Sequence, residues 1–591
     1  MSRRACDACK VRKVKCDGDE SAEPCSNCRM SKLPCQYVRQ ARKRGRKPLP
    51  SPRPPPQHNR SRPTRSQGLP EPPLRTSSSE TPSPSLISSS TCHDRYPPAG
   101  ASPGPVSVLQ STPQTTGIQP QLGVNARLQA SHRELVSSLL VCAPGSSLDT
   151  IVSKCIDIAV HSVFPLGPLF HEQSLRSSVP LQSPLLNGDP PMRAPSGPGY
   201  GACVAYPGDL AKLRSYATLT ALGASVSFLL QAECLTNGVQ IGQAFLRASL
   251  ETLKLYQDVD AAYPDASSLV IRICHASALH TDGRTPAAWQ TLNEALGLAE
   301  QMQLYKEHSF EGLEPLEARI RRLAFWQLYI LDKYAALVEG KPMRMHQFSI
   351  ATPITTQLRA EAEPPLLVTV LMNESPSLEE QLLAGFYLIQ RLWSTASEVS
   401  LDLQVLSRFC SQAPDAQVAE EAGRLNLVET YLRFVSVLDD FPPSLECLDP
   451  TGTAENNLAA SPRRRFWLQK AHLLVSYHCL RMVFLQRFAD LGLANMLGCG
   501  NDTMMLASRK MEIAHDFITV ITSVPFDCLL ANGESCVAKI RRIGTTLLEV
   551  MHEVDVPQLA SRAKSLFPRL LDVLGKLDSR ASDRLMSESF H

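Results

Sequence analysis

The first 47 residues contain no histidine, which removes mixed Cys and His zinc ligation from that part of the chain. Nor is any apolar run long enough to cross a membrane: the longest, about Ala221 to Leu235, is interrupted by Ser and Gln and runs into Glu233. The opening MSRRACDACK is basic with no apolar stretch behind it, so no secretory signal is expected. No GxGxxG or Walker loop occurs, and His161, His171, His346 and Asp332 lack the spacing of a metal site or a catalytic triad. Twelve of the 18 cysteines show no paired spacing and read as reduced, mostly buried thiols. These absences point to an intracellular, reducing compartment, no membrane partner and no enzyme activity.

A chain of 591 residues exceeds one ordinary core, so at least two folded units plus linkers are expected. The net charge of +3 conceals an uneven distribution. Residues 1–47 hold 14 Lys or Arg against 5 Asp or Glu, a net of +9, and the remainder is mildly acidic. A basic head of this kind favours a polyanionic partner. Between Pro48 and Pro120 lie 18 of the 46 prolines, with runs such as PRPPPQ and SSSETPSPSLISSST. Such a composition cannot bury enough apolar surface to offset the entropy of ordering it. The expected domains are therefore 1–47, a basic head; 48–147, a disordered Pro/Ser-rich linker; and 148–591, an all-helical body.

The body reads as helical because its apolar residues recur at steps of three and four. Trp289, Leu292, Leu296 and Ala299 do so in one segment, and Leu323, Trp326, Ile330 and Tyr334 in another, with Gly340 and Pro342 as its stop. Further helices are expected at Leu210–Leu235, Val239–Val259, Leu378–Glu398, Ala419–Leu438, Arg465–Leu491 and Thr503–Val524. Pairing of Val239–Val259 with Pro286–Tyr305 suggests stacked helical hairpins, without a strict repeat. Pro180–Tyr206 and Pro450–Pro462 read as surface loops. The four tryptophans are expected in the core.

Chemistry concentrates in six cysteines. Cys6-x2-Cys9-x6-Cys16 is followed, after eight residues, by Cys25-x2-Cys28-x6-Cys35, so one half-motif is written twice. A CxxC pair at a helix start presents two thiolates to one metal, and the third cysteine returns after a turn or two. Two tetrahedral Zn²⁺ ions need eight ligand positions, so six thiolates saturate both only if two sulfurs bridge. A disulfide knot or two unrelated, incomplete CxxC sites are the alternatives. The halves are unequal: KVRKVK between Cys9 and Cys16 carries four cations, whereas RMSKLP between Cys28 and Cys35 carries two. The first half is thus the better fit to the major groove, where Lys or Arg donates to guanine O6 and N7. A face that touches phosphate alone, or serves import alone, is the plainer reading. Behind the cluster, Arg39, Arg42, Lys43, Arg44, Arg46 and Lys47 form a phosphate clamp that doubles as a nuclear import signal.

The stretch ACDACKVRKVKCDGDESAEPCSNCRMSKLPC resembles the DNA-binding domain of the fungal Zn2Cys6 binuclear zinc-cluster transcription factors. That resemblance implies two structural Zn²⁺ ions held by Cys6, Cys9, Cys16, Cys25, Cys28 and Cys35, with Cys6 and Cys25 bridging. It implies double-stranded DNA as partner, a nuclear location, and contacts from Lys10, Arg12, Lys13 and Lys15, Lys13 reading a CGG triplet. Pro24 matches the family's loop proline. Pro48, Pro50, Pro52 and Pro54 stand where many members place a dimerising coiled coil, so binding as a monomer and a homodimer formed through the body both stay open. Cys155–Leu175, Arg319–Met345, Tyr431–Leu445 and Phe466–Arg487 resemble segments of the family's regulatory domain. The resemblance implies a regulator of RNA polymerase II transcription that engages the transcription machinery or co-regulators. A secondary-metabolite gene cluster is the favoured target on family frequency, and carbon or nitrogen catabolism is the alternative. A zinc-built protein-interaction adaptor leaves the charge asymmetry of the two halves unexplained. A metal-dependent enzyme needs an open metal position that a saturated cluster does not offer.

Overall fold

The computed structural model describes Cys6, Cys9, Cys16, Cys25 and Cys35 with the turn 26–30, and then residues 124–179, 207–229, 237–345, 363–368, 377–409, 417–446, 448, 462–500, 502–553 and 556–577. The chain divides into two compact units, Met1–Pro113 and Gln114–His591. In the first, helix α1 (Ser26–Met30) follows directly on Cys25, and the Arg29 N–H closes on the Cys25 carbonyl at 2.9 Å. The second unit is helical throughout its described residues, with no strand among them.

Helical order in that unit begins earlier than the sequence suggested. Helix α2 (Val124–Cys142) lies inside the segment expected to be disordered linker. It buries a narrow stripe, Leu128, His132, Leu135 and Leu139, against α6 (Gly238–Ala262), and Glu134 meets Arg247 at 2.6 Å. Tertiary packing rather than propensity secures a helix of this kind. Two more elements follow, α3 (Leu148–Ile158) and α4 (Glu172–Ser178). Ser147 caps α3 by accepting from the Thr150 N–H at 3.1 Å.

The next helices stack as hairpins. Helix α5 (Pro207–Leu229) packs along α6 and also on α7 (Ala266–Thr281), which in turn pairs with α8 (Thr285–Gln301). The expected partnership of Val239–Val259 with Pro286–Tyr305 is thereby corrected: each pairs chiefly with a different helix, because α7 intervenes. Close approach of α5 and α6 depends on two glycines. A Cβ on Gly223 would stand 3.1 Å from the Phe245 ring, and one on Gly242 would stand 3.0 Å from the Phe228 ring. Asp265 and Ser268 form a reciprocal capping box at the start of α7.

Helix α9 (Pro315–Leu337) ends as its sequence indicates. Gly340 sits at φ 68°, and the Lys341 N–H reaches back to the Ala335 carbonyl at 2.9 Å. Then come α10 (Leu378–Phe409), α11 (Gln417–Val435), α12 (Pro443–Glu446), α13 (Pro462–Asp490), α14 (Thr503–Ser523), α15 (Phe526–Ala531), α16 (Gly533–Glu553) and α17 (Pro557–Leu577). Helix α13 is apolar on several faces, burying Trp467, Leu468, Leu473, Cys479, Phe484 and Phe488, and it touches α10, α14, α15 and α16. A helix of that composition belongs in the middle of a core. Its Gln469 is fully enclosed and donates to the carbonyls of Pro165 and Leu382, both at 2.7 Å, which ties α10 and the turn after α3 to the core.

Trp326, Trp393 and Trp467 are buried as expected, while Trp289 is only partly covered. The expected loops at 180–206 and 450–461 lie outside the described residues. No helix among the described residues is long and apolar enough to cross a membrane.

Candidate metal centre

Two CxxC segments build the centre by the same local geometry. The Cys9 N–H points at the Cys6 sulfur at 3.5 Å, and the Cys28 N–H points at the Cys25 sulfur at 3.4 Å. In each case a helical start aims an amide three residues ahead at the first thiol, which favours the thiolate form. At Cys25 this amide pulls the thiol down to about 6. Burial pushes Cys28 the opposite way, up to about 12. Thiols this crowded cannot all ionise by themselves, and a divalent cation reverses that balance by coordinating the sulfurs as thiolates.

All six sulfurs come together. Cys6 Sγ lies 3.9 Å from Cys25 Sγ and 3.6 Å from Cys28 Sγ, and Cys9 Sγ lies 3.5 Å from Cys25 Sγ. A zinc–thiolate bond of about 2.3 Å in a tetrahedron sets its sulfurs about 3.8 Å apart. The observed spacing therefore suits thiolates around a zinc ion, and it is far longer than the ~2 Å of a disulfide. None of the six is oxidised to a disulfide.

The sulfurs sort into two sets of four, each within 4.8 Å. One is Cys6, Cys9, Cys16 and Cys25; the other is Cys6, Cys25, Cys28 and Cys35. Cys6 and Cys25 belong to both. Cys6, Cys9, Cys25 and Cys28 are buried, whereas Cys16 and Cys35 are half-buried. Among the described residues no Leu, Ile, Val or aromatic side chain packs on this knot.

Lys10, Arg12, Lys13, Lys15, Arg42, Lys43, Arg44, Arg46 and Lys47, read from the sequence as DNA contacts, lie outside the described residues. The groups weighed for catalysis stay apart. His161 Nδ1 bonds the Asp157 carbonyl of its own helix at 2.7 Å, and His171 bonds Ser174 Oγ at 2.7 Å. Asp332 is buried, pairs with Lys333 at 2.9 Å and accepts the N–H groups of Arg344 and Met345. His346 lies outside the described residues. Of the other described cysteines, Cys155, Cys274, Cys479, Cys499, Cys528 and Cys536 are buried, Cys142 is half-buried, and none forms a disulfide.

A model of the fungal Zn(2)-Cys(6) binuclear cluster domain matches residues 4–44, and a model of the fungal specific transcription factor domain matches residues 216–399. Three relatives are similar over short stretches. A maltose fermentation regulatory protein of Saccharomyces cerevisiae is 46% identical over 48 residues, 8% of this chain and 10% of that protein. A second maltose fermentation regulatory protein of the same yeast is 49% identical over 49 residues, again 8% and 10%. The arabinolytic transcriptional activator of Emericella nidulans is 47% identical over 45 residues, 8% of this chain and 5% of that protein. These matches span about a tenth or less of the relatives' length.

Proposed function

We propose that this chain, which carries both the cluster domain and the regulatory domain of the fungal Zn2Cys6 transcription factors, is a nuclear, sequence-specific, DNA-binding regulator of RNA polymerase II transcription. The family is not enzymatic, and the six cysteines have a structural role. One observation carries the reading: the six sulfurs divide into two four-sulfur sets that share Cys6 and Cys25. Cys6, Cys9, Cys16, Cys25, Cys28 and Cys35 would hold two Zn²⁺ ions, Cys6 and Cys25 serving both sets. The ions would supply cohesion and charge neutralisation. The protein's own residues do the recognition.

Lys10, Arg12, Lys13 and Lys15 stand between the second and third cysteines of the first half in sequence. Lys13, with Arg12 beside it, is the reader of a CGG-type triplet, donating to guanine O6 and N7. Arg42, Lys43, Arg44, Arg46 and Lys47 add affinity for phosphate without sequence preference. A second copy of the chain, where it joins, does so through the helical body, because prolines replace the coiled-coil segment behind the cluster. The domain boundaries follow the same reading: a head to residue 47, a linker, and a helical body that begins at α2. For the regulated pathway, family frequency favours a secondary-metabolite gene cluster. A second reading, control of sugar catabolism, is supported by the names of the maltose and arabinose regulators, whose similarity covers 8% of this chain.

The test is a titration of CGG-containing and scrambled duplexes with the full-length zinc-loaded protein and its Lys13→Ala variant. Loss of one good base contact weakens the CGG duplex by about ten- to a hundredfold and leaves the scrambled duplex within about threefold. Undiminished CGG binding by Lys13→Ala refutes base readout by this segment.

A further inference from the structure

Eight helices of the body, α5, α7, α8, α9, α10, α13, α15 and α16, and the turn after α3 line a cavity of about 210 Å³. Most of its wall is apolar, yet it carries polar groups without partners. Lys539 on α16 is 1% exposed. Its ammonium lies over the rings of Tyr334 at 5.3 Å and Trp393 at 5.6 Å, and among the described residues no carboxylate pairs with it. Trp289 Nε1, Trp393 Nε1 and Gln327 Oε1 on the same wall are buried and have no hydrogen-bond partner. The rings form a contiguous track, Trp289 against Tyr334 at 6.3 Å and Tyr334 against Trp393 at 6.1 Å, which ends at Lys539.

Buried polar atoms nearly always find a partner, so several orphaned atoms on one wall call for a ligand. Neighbouring ionisable groups do not neutralise the ammonium. Cys479 and Cys536 are buried, which pushes their thiols up to about 11 and about 12. Burial pushes His472 down to about 3, and its Nδ1 donates to Asn532 Oδ1 at 2.9 Å. Burial also lowers His280. Glu534 is paired with Arg541 at 2.8 Å. Desolvation favours the neutral amine of Lys539, so an anion that restores its charge gains a strong contact in a low-dielectric site.

We propose that this cavity binds a small organic anion, a carboxylate on a compact aromatic or apolar body. The carboxylate faces Lys539 and the indole N–H groups supply further donors. The apolar body lies along the ring track of Trp289, Tyr334 and Trp393. Pockets of this make-up, mostly apolar with a few placed polar groups, are the usual form of small-molecule sites. The assignment is independent of which DNA sequence the head reads.

The experiment titrates the full-length protein with 3-phenylpropionate and with its neutral amide, 3-phenylpropionamide, by calorimetry and by quenching of tryptophan fluorescence. The expected result is saturable binding of the carboxylate, with the amide weaker by at least about tenfold because it forms no charge-assisted contact. Lys539→Met, which keeps the volume and removes the charge, lowers carboxylate affinity by about the same factor and leaves the helical circular dichroism intact. Equal binding of acid and amide, or no saturable binding of the acid, overturns the proposal with the parent protein alone. Unchanged acid affinity in a folded Lys539→Met variant overturns it as well.

Discussion

Asp260 offers a sharp perturbation of the body, because it is fully buried and charged. Its carboxylate accepts from Arg272 Nη1 at 2.7 Å, Ser268 Oγ at 2.6 Å and Arg214 Nη2 at 3.2 Å, which joins α5, α6 and α7 at one corner. Asp260→Asn keeps the shape and removes the charge. Arg214 then retains Asp265 and the Tyr263 carbonyl, but Arg272, 4% exposed, is left with the Ser268 carbonyl at 2.9 Å and the exposed Glu294 carboxylate at 3.8 Å. Removing one member of a buried pair costs about 3–5 kcal/mol, and the surviving carbonyl contact places this case near 3. Arg272→Met removes the other member and costs about 2 kcal/mol, since Arg214 and Ser268 still serve Asp260. The double variant no longer strands a charge, so its loss should fall short of the sum by about 2 kcal/mol. Urea unfolding of the full-length protein, followed by tryptophan fluorescence, reads all three. Additive losses, or an Asp260→Asn variant within about 0.5 kcal/mol of the parent, refute the view that this corner is a coupled, desolvated network.

Two further outcomes follow from buried groups. Burial pushes His275 from 6.5 down to about 3, while its Nε2 pairs with Ser249 Oγ at 2.8 Å. The unfolded chain therefore takes up this proton below about pH 6.5 and the folded one does not, so stability falls with pH from there. Between pH 6.5 and pH 5 the contribution is about 2 kcal/mol, and His275→Gln flattens the pH profile by that amount; an unchanged slope contradicts it. Gly385 faces Gln469 so closely that a Cβ would collide with its amide. Gly385→Ala should cost about 2–3 kcal/mol by displacing the two hydrogen bonds of Gln469, against the ~1 kcal/mol that alanine gains in helix propensity. An equal or higher urea midpoint in this variant contradicts the packing account.

Long amphipathic helices were legible from spacing because their apolar residues recur with the helical period over many turns. Helix α9 is the clearest case: Leu323, Trp326, Ile330 and Tyr334 are all buried and Gly340 provides the stop. Helix α2 escaped because its apolar stripe is four residues long and follows proline-rich sequence. Helix α7 escaped for the opposite reason: it is buried on nearly every side, Leu269 to Leu279, so no polar face marks its period. Hairpin partners were not legible, since spacing identifies a buried face and not the element that covers it. At the metal centre the six cysteines and the need for two shared sulfurs could be counted from sequence. Spacing alone does not say which two are shared, because the repeat treats all three cysteines of each half alike; the family resemblance named Cys6 and Cys25, and these are the two that both sets contain. The cavity beside Lys539 was not legible either. Its residues come from eight helices and a turn, spread from Ser162 to Lys539 in the sequence.

The central claim is that six thiolates saturate two zinc ions through two shared sulfurs. Native mass spectrometry of the zinc-saturated full-length protein, with Cys25→Ser beside it, tests this directly. The account predicts two zinc ions in the parent. It predicts loss of both-site occupancy in Cys25→Ser, because that sulfur completes each four-sulfur set. A parent chain that holds a single zinc at saturation, or a Cys25→Ser chain that retains two with undiminished affinity, contradicts it.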